Sequence, residues 1–199
     1  MRGFTEEEKI YLRTQLLEKG RSFFSVHGFK KTSIKDLTNA VGIAQGSFYL
    51  FFQSKEEIYF RILEEEEEKI KSIITRQLPS AMTAKTFAAF LLSGIQLIQD
   101  NPFIRQLFFE GELETLIRKL PKEIVEEHIH KDTDLLAPLL DSWGIKDKQE
   151  QDIVSGAIRS FFLLAVHEKA IGNAHYDQTI QFLAEAIADK IFARRMNDD

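Results

Sequence analysis

The segment Thr32–Ile58, TSIKDLTNAVGIAQGSFYLFFQSKEEI, constrains this chain more than any other feature, because it reads as two short helices joined by a tight turn. Ser33 with Asp36 three residues on forms an S-x-x-D capping box that opens a first helix. Ile34, Leu37, Ala40 and Val41 recur at helical spacing, and Gly42 supplies the residue that takes a left-handed backbone and ends the helix. A second helix is expected from about Ala44, carrying Gln45, Gly46, Ser47 and Tyr49, with Phe48, Phe51 and Phe52 to anchor it. That is the pattern of a helix-turn-helix, whose second helix fits the DNA major groove and reaches base edges through its N-terminal residues.

Charge distribution agrees with this reading although the net charge does not. The 199 residues carry a formal charge of −5, which alone disfavours a polyanionic partner. Between Lys19 and Lys55, however, six basic residues face one acid, Asp36, giving +5; the remainder, with 20 basic and 30 acidic residues, carries −10. A positive footprint centred on the helix-turn-helix is what phosphate attraction requires. Cysteine is absent, so disulfides, thiolate metal sites and thiol nucleophiles are excluded. No secretory signal pattern opens the sequence and no apolar run approaches the roughly 20 residues needed to span a bilayer, so a soluble, cytoplasmic protein is expected.

The motif resembles the DNA-binding domain of the TetR family of bacterial transcriptional regulators. The matching residues are Phe24, Gly28 and Phe29; Thr32 and Ser33; Gly42 and Ile43; Gly46 to Tyr49; and Phe52 followed by Ser54 to Glu56, covering roughly residues 8 to 62. Three positions depart from the usual pattern: Leu37-Thr38 in place of Ile-Ala, Ala44 in place of a capping Ser or Thr, and Phe51 where His is frequent. The resemblance implies an all-α protein with an N-terminal three-helix DNA-binding domain (residues 1–60) and a C-terminal helical bundle for dimerisation and effector binding (61–199). It implies a ligand-responsive repressor that binds a palindromic operator as a homodimer.

Candidate DNA contacts follow residue by residue. Gln45 can pair with adenine, Lys35 with guanine or a phosphate, and Ser47 with base or backbone, whereas Thr32, Ser33, Tyr49 and Lys55 suit phosphates. Gly46 contributes by lacking a side chain, so the backbone can come close to DNA. Each polar residue here would equally suit a solvated surface.

Helical periodicity continues through the rest of the chain, and strand-like alternation hardly occurs. Thr5 with Glu8 opens a first helix, and Ser54 with Glu57 opens a long one running to about Arg76. Within it Glu64 to Glu68 form a charge run, expected as a solvated face with Glu65 and Glu67 opposite Lys69 and Lys71. Pro79-Ser80 marks a junction. Further helices are expected at Phe87–Ile98, after Asn101-Pro102 at about 103–118, at 121–141, from Asp147 to near Gly172, and from Asp177 to Arg195.

The last two helices carry more apolar surface than one buried face needs. Ile153, Ala157, Phe161 and Leu164, with Ile180, Leu183, Ile187 and Ile191, are the dimer-interface residues that the resemblance implies; the alternative is that one monomer fills both faces. The resemblance also implies an effector pocket, for which Phe87, Phe90, Phe103, Phe108, Phe109, Phe161, Phe162 and His167 are candidates suited to a small hydrophobic or aromatic compound. Aromatic residues at this spacing are more often ordinary core. His128 and His130, near Glu127 and Asp132, have metal-like composition but diverge by about 200° on a helix, so no metal is expected, nor any cofactor. The competing classes are a helical-bundle enzyme and a protein-interaction scaffold. The usual catalytic motifs, including H-E-x-x-H, G-x-S-x-G and the P-loop, are missing from the sequence.

Overall fold

The computed structural model describes residues 4–79, 82–109, 112–165, 167 and 171–192. Every regular element among them is helical: α1 (Glu6–Lys31), α2 (Ile34–Val41), a 3-10 helix (Gln45–Leu50), α3 (Lys55–Arg76), α4 (Ala84–Asp100), α5 (Pro102–Phe109), α6 (Glu112–Lys119), α7 (Lys122–Ser142), α8 (Lys148–Ala165) and α9 (Tyr176–Phe192), with a 3-10 turn at Asn173–His175. The all-α expectation holds. Two compact units form, and they are not contiguous in sequence. The first takes residues up to 69 together with 100–120, and the second takes 70–99 and 121 onwards.

In the first unit, helix ends follow the local signals closely. At α1 the Thr5 hydroxyl accepts from the Glu8 N–H (3.2 Å) while the Glu8 carboxylate accepts from the Thr5 N–H (2.7 Å). Asn101 Oδ1 accepts from the backbone of Phe103 and Ile104, both at 3.0 Å, and so opens α5 ahead of Pro102. The helix expected at about 103–118 is described as α5 and α6, and residues 110 and 111 between them lie outside the described residues. Helix α1 packs against both α2 and α5. Its core is aromatic: Tyr59 of α3 meets Phe24 (4.8 Å between centroids), Phe29 (5.1 Å) and Phe103 of α5 (4.7 Å). Gly20 permits the close approach of α1 to α3, since a Cβ there would lie 2.9 Å from Ile62 Cδ1.

The charge run on α3 is more than a solvated face. Glu66 is 6% exposed and accepts hydrogen bonds from Arg21 Nε of α1 (2.6 Å), Lys69 Nζ (2.6 Å) and Asn101 Nδ2 (2.7 Å). Lys69 therefore pairs with Glu66 rather than Glu65, whose carboxylate binds the Arg21 guanidinium. Burial pushes the Glu66 pKa up. The hydrogen bonds from Lys69 and Asn101 and the charges of Lys69 and Arg21 outweigh it and hold the carboxyl below the ordinary glutamate range.

In the second unit, Phe87, Leu91, Trp143, Ile158, Phe161, Ile180, Ala184, Ala188 and Phe192 form the core. Trp143 meets the Phe87 ring edge-on at 5.4 Å, and Phe192 meets it at 5.6 Å. Gly94 lets α4 lie against Phe162, because a Cβ there would sit 2.7 Å from that ring. Helix α8 opens as expected, with Asp147 Oδ1 accepting from the Glu150 N–H at 2.9 Å. Residues 193–199, where the last helix was expected to continue to Arg195, lie outside the described residues.

Candidate nucleic-acid interface

The helix-turn-helix is built from its caps outward. Ser33 Oγ accepts from the Asp36 N–H (3.2 Å), and the Asp36 carboxylate accepts from both the Ser33 N–H (2.9 Å) and the Ser33 hydroxyl (2.6 Å). The same Ser33 contacts hold the Asp36 carboxyl below its ordinary pKa. Gly42 ends α2 with φ +76°, and its N–H is satisfied by Asn39 and Thr38 carbonyls. The reading element that follows is a 3-10 helix, not an α-helix, and Ala44 at its cap makes no side-chain hydrogen bond.

That change of helix type alters which residues share a face. In a 3-10 helix positions i and i+3 eclipse, so Gly46 aligns with Tyr49 and Ser47 with Leu50. Phe48 and Phe52 are buried, whereas Gln45, Gly46, Tyr49 and Leu50 are exposed and Ser47 half-buried. Leu50, absent from the sequence-based set, is thereby a member of the outward row. An α-helix would also set Leu50 beside Ser47 and Gly46, three and four residues before it, so its place on that side does not depend on the winding. Lys35 is exposed on α2. Phe51, in the place where His is frequent, lies against the Phe4 ring at 6.2 Å, and Arg13 sits 5.0 Å over the Phe52 ring. These contacts tie the start of α1 to the end of the reading helix.

Three expected phosphate ligands are committed elsewhere. Thr32 is buried and its hydroxyl donates to the Gly28 carbonyl at 2.9 Å, so neither the proton nor the side chain is presented to a surface. The Ser33 hydroxyl and N–H both donate to Asp36, which leaves no donor for a phosphate oxygen. Lys55 donates from Nζ to the carbonyls of Phe29 (2.8 Å) and Thr32 (2.9 Å).

The pocket candidates divide between the two units. Phe103 belongs to the aromatic core of the first unit. Phe87 and Phe161 are fully buried in the second unit's core, Phe90 and Phe162 are half-buried, and His167 is exposed. The side chains of Phe108 and Phe109 lie outside the described residues. A cavity of about 250 Å³ in the second unit is lined by Ile74, Leu78, Phe90 and Thr86 among others, sharing only Phe90 with the expected set. Of the dimer candidates, Phe161 and Ile180 are buried within the chain (1% and 3% exposed), because they fill the core between α8 and α9. Ala157, Leu183, Ile187 and Ile191 are half-buried, whereas Ile153 and Leu164 on α8 are 64% and 51% exposed. Phe182 on α9 is exposed as well. Among the described residues no group of three or more His, Asp or Glu is placed to hold a metal ion, and no helix is long and apolar enough to cross a membrane.

A capped α2, a left-handed glycine and an outward-facing reading helix define a helix-turn-helix DNA-binding domain. Residues 16–62 match the model for bacterial regulatory proteins of the tetR family. Similar proteins point the same way. It is 37% identical over 60 residues to the HTH-type transcriptional regulator YfiR of Bacillus subtilis, covering 30% of this chain and 29% of that protein, so that match spans under a third of the relative. It is 22% identical over 206 residues to the "Probable acrEF/envCD operon repressor" of Escherichia coli K12, covering 98% and 91% of the two chains. The fold is shared with RolR in complex with resorcinol, at a TM-score of 0.62 and 16% identity, over 92% of this chain and 96% of that one.

Proposed function

We propose that this protein is a sequence-specific transcriptional regulator, a ligand-responsive repressor that binds a palindromic operator as a homodimer in the cytoplasm, and not an enzyme. The observation that carries this reading is the outward row of the reading helix. Gly46 with Tyr49 and Ser47 with Leu50 form its outward rows, Gln45 is exposed at its first position, Phe48 is fully buried beneath them, and Lys35 is exposed on the preceding helix. Gln45 reads adenine, Leu50 offers an apolar contact to a thymine methyl, and Lys35, Ser47 and Tyr49 engage base or backbone. DNA reading belongs to residues 1–60, and effector binding and dimerisation to 61–199. The RolR complex with resorcinol supports a small aromatic effector, and the open cavity beside Phe90 is the place to look for it.

Gel shifts with genomic fragments test the core of this reading. Binding to one palindromic site should exceed binding to random DNA, and affinity should fall steeply as salt rises; equal affinity for all sequences would reject it. Gln45→Ala is expected to cost about 1 to 3 kcal/mol at a single base position and to relax preference there only. A base-by-base operator scan reads this out.

Dimerisation has its own test. Ile153 and Leu164 are about three helical turns apart and so share one exposed stripe of α8. The double substitution Ile153→Glu, Leu164→Glu should leave the circular dichroism spectrum unchanged and convert the sedimenting species from dimer to monomer. A dimer that survives the double substitution would place the interface elsewhere.

A further inference from the structure

Lys55 stands at the first position of α3, yet it reaches back across the reading segment to the end of α1. There Gly28 breaks the helix with φ +76° and ψ 171°, and the chain turns through residues 29–32 into the cap of α2. Carbonyls at a helix end lack intrahelical donors and carry the negative end of the helix dipole. Lys55 Nζ satisfies two of them, Phe29 O at 2.8 Å and Thr32 O at 2.9 Å, and lies 4.0 Å from the centroid of the Phe29 ring. Phe29 itself is buried against Tyr59. The Thr32 hydroxyl closes the same turn onto Gly28.

Every candidate DNA contact in this protein lies from Thr32 to Lys55. A bond joining these two residues therefore closes that segment at its base, fixing where Ser33 starts α2 relative to where α3 starts. We infer that Lys55 is a positioning residue that staples the reading segment shut through its ammonium group, and that it is not one of the phosphate ligands. The inference rests on the DNA-reading proposal for its effect on affinity. Its structural half stands independently of DNA.

The experiment compares wild type, Lys55→Met and Lys55→Arg in three measurements. The first is amide hydrogen exchange of the free protein, in which Lys55→Met should speed exchange across residues 30–36 and Lys55→Arg should restore part of the protection. The second is operator affinity, which Lys55→Met should weaken by roughly tenfold or more for specific and random DNA alike, as expected from losing charge-assisted hydrogen bonds. The third is the slope of log affinity against log salt. It should match wild type, because no released counterion belongs to Lys55, whereas a phosphate ligand would lower the slope by about 0.9.

A shallower slope in Lys55→Met, or unchanged exchange over residues 30–36, overturns the assignment. Should Lys55→Met not fold, Lys55→Arg carries the test alone: it keeps the charge that a phosphate needs but fits the two carbonyls less well, so faster exchange over residues 30–36 supports the staple. Exchange in Lys55→Arg that matches wild type overturns it. If wild type binds no DNA, the regulator reading fails while the exchange arm still decides the staple.

Discussion

Glu66→Ala is expected to destabilise the protein by about 2 to 3 kcal/mol at neutral pH, somewhat under the range for a fully buried ion pair that loses one partner. The reduction has a cause. Lys69 stays solvated once its partner is gone, and Arg21 keeps Glu65, so the uncompensated groups are the Asn101 amide and one face of the Arg21 guanidinium. The effect should also depend on pH. With its folded pKa below the ordinary glutamate value of 4.5, Glu66 contributes fully above that value and loses its contribution as pH falls through the lower folded pKa. Urea titrations at pH 7 and near pH 4 should show the gap between wild type and Glu66→Ala narrowing in acid. A gap that is constant or widens would mean that packing, not charge, makes Glu66 matter.

Gly46→Glu is expected to abolish specific DNA binding while leaving stability within about 0.5 kcal/mol of wild type, as for a surface change that breaks nothing. No atom lies within 4 Å of a Cβ built at Gly46, so the folded chain has room for the new side chain. On the proposed reading, the DNA complex would not. A carboxylate on the outward row would occupy the space of the base edges and repel phosphates, reducing affinity to the non-specific level, a loss on the order of a thousandfold or more. Gly46→Ala should lose less, since its methyl adds bulk without charge. Retained operator affinity in Gly46→Glu would show that the reading helix faces away from DNA.

Features coded by residues a few positions apart were legible in the sequence. The capping boxes at Thr5 and Ser33, the left-handed Gly42, and the Asn101-Pro102 helix start each depend on atoms within four residues, so propensity and spacing suffice to find them. Features set by chain segments that meet only on folding were not. The burial of Thr32 and the engagement of Lys55 arise where α1 meets α3, over 20 residues apart, and turn surface candidates into interior ones. Glu66 looked like one of five solvated acids because nothing local reveals Arg21 or Asn101. Nothing in the local sequence marks Phe103 as a partner of Phe24, and only the packing of α5 on α1 brings the two rings together. Leu50 is different, because it follows Ser47 by three residues and Gly46 by four and so falls on their side of the helix in either winding.

The first unit's split sequence has a consequence for how the protein is made. Phe103 closes the aromatic cluster around Phe24 and Tyr59, and Ile104 and Leu107 are buried beside it. On the ribosome, all of the helix-turn-helix, which ends at Ile58, has been synthesised 45 residues before Phe103 exists. At about 5 to 20 residues per second, a growing chain spends several seconds with an uncovered hydrophobic face on the nascent reading domain. Translation pauses in that interval would prolong the exposure, and a nascent-chain chaperone would find its binding site there. For the same reason the reading head is not a transplantable cassette: a fusion that ends it at residue 60 would carry the DNA-facing side chains without the α5 residues that complete the core beneath them.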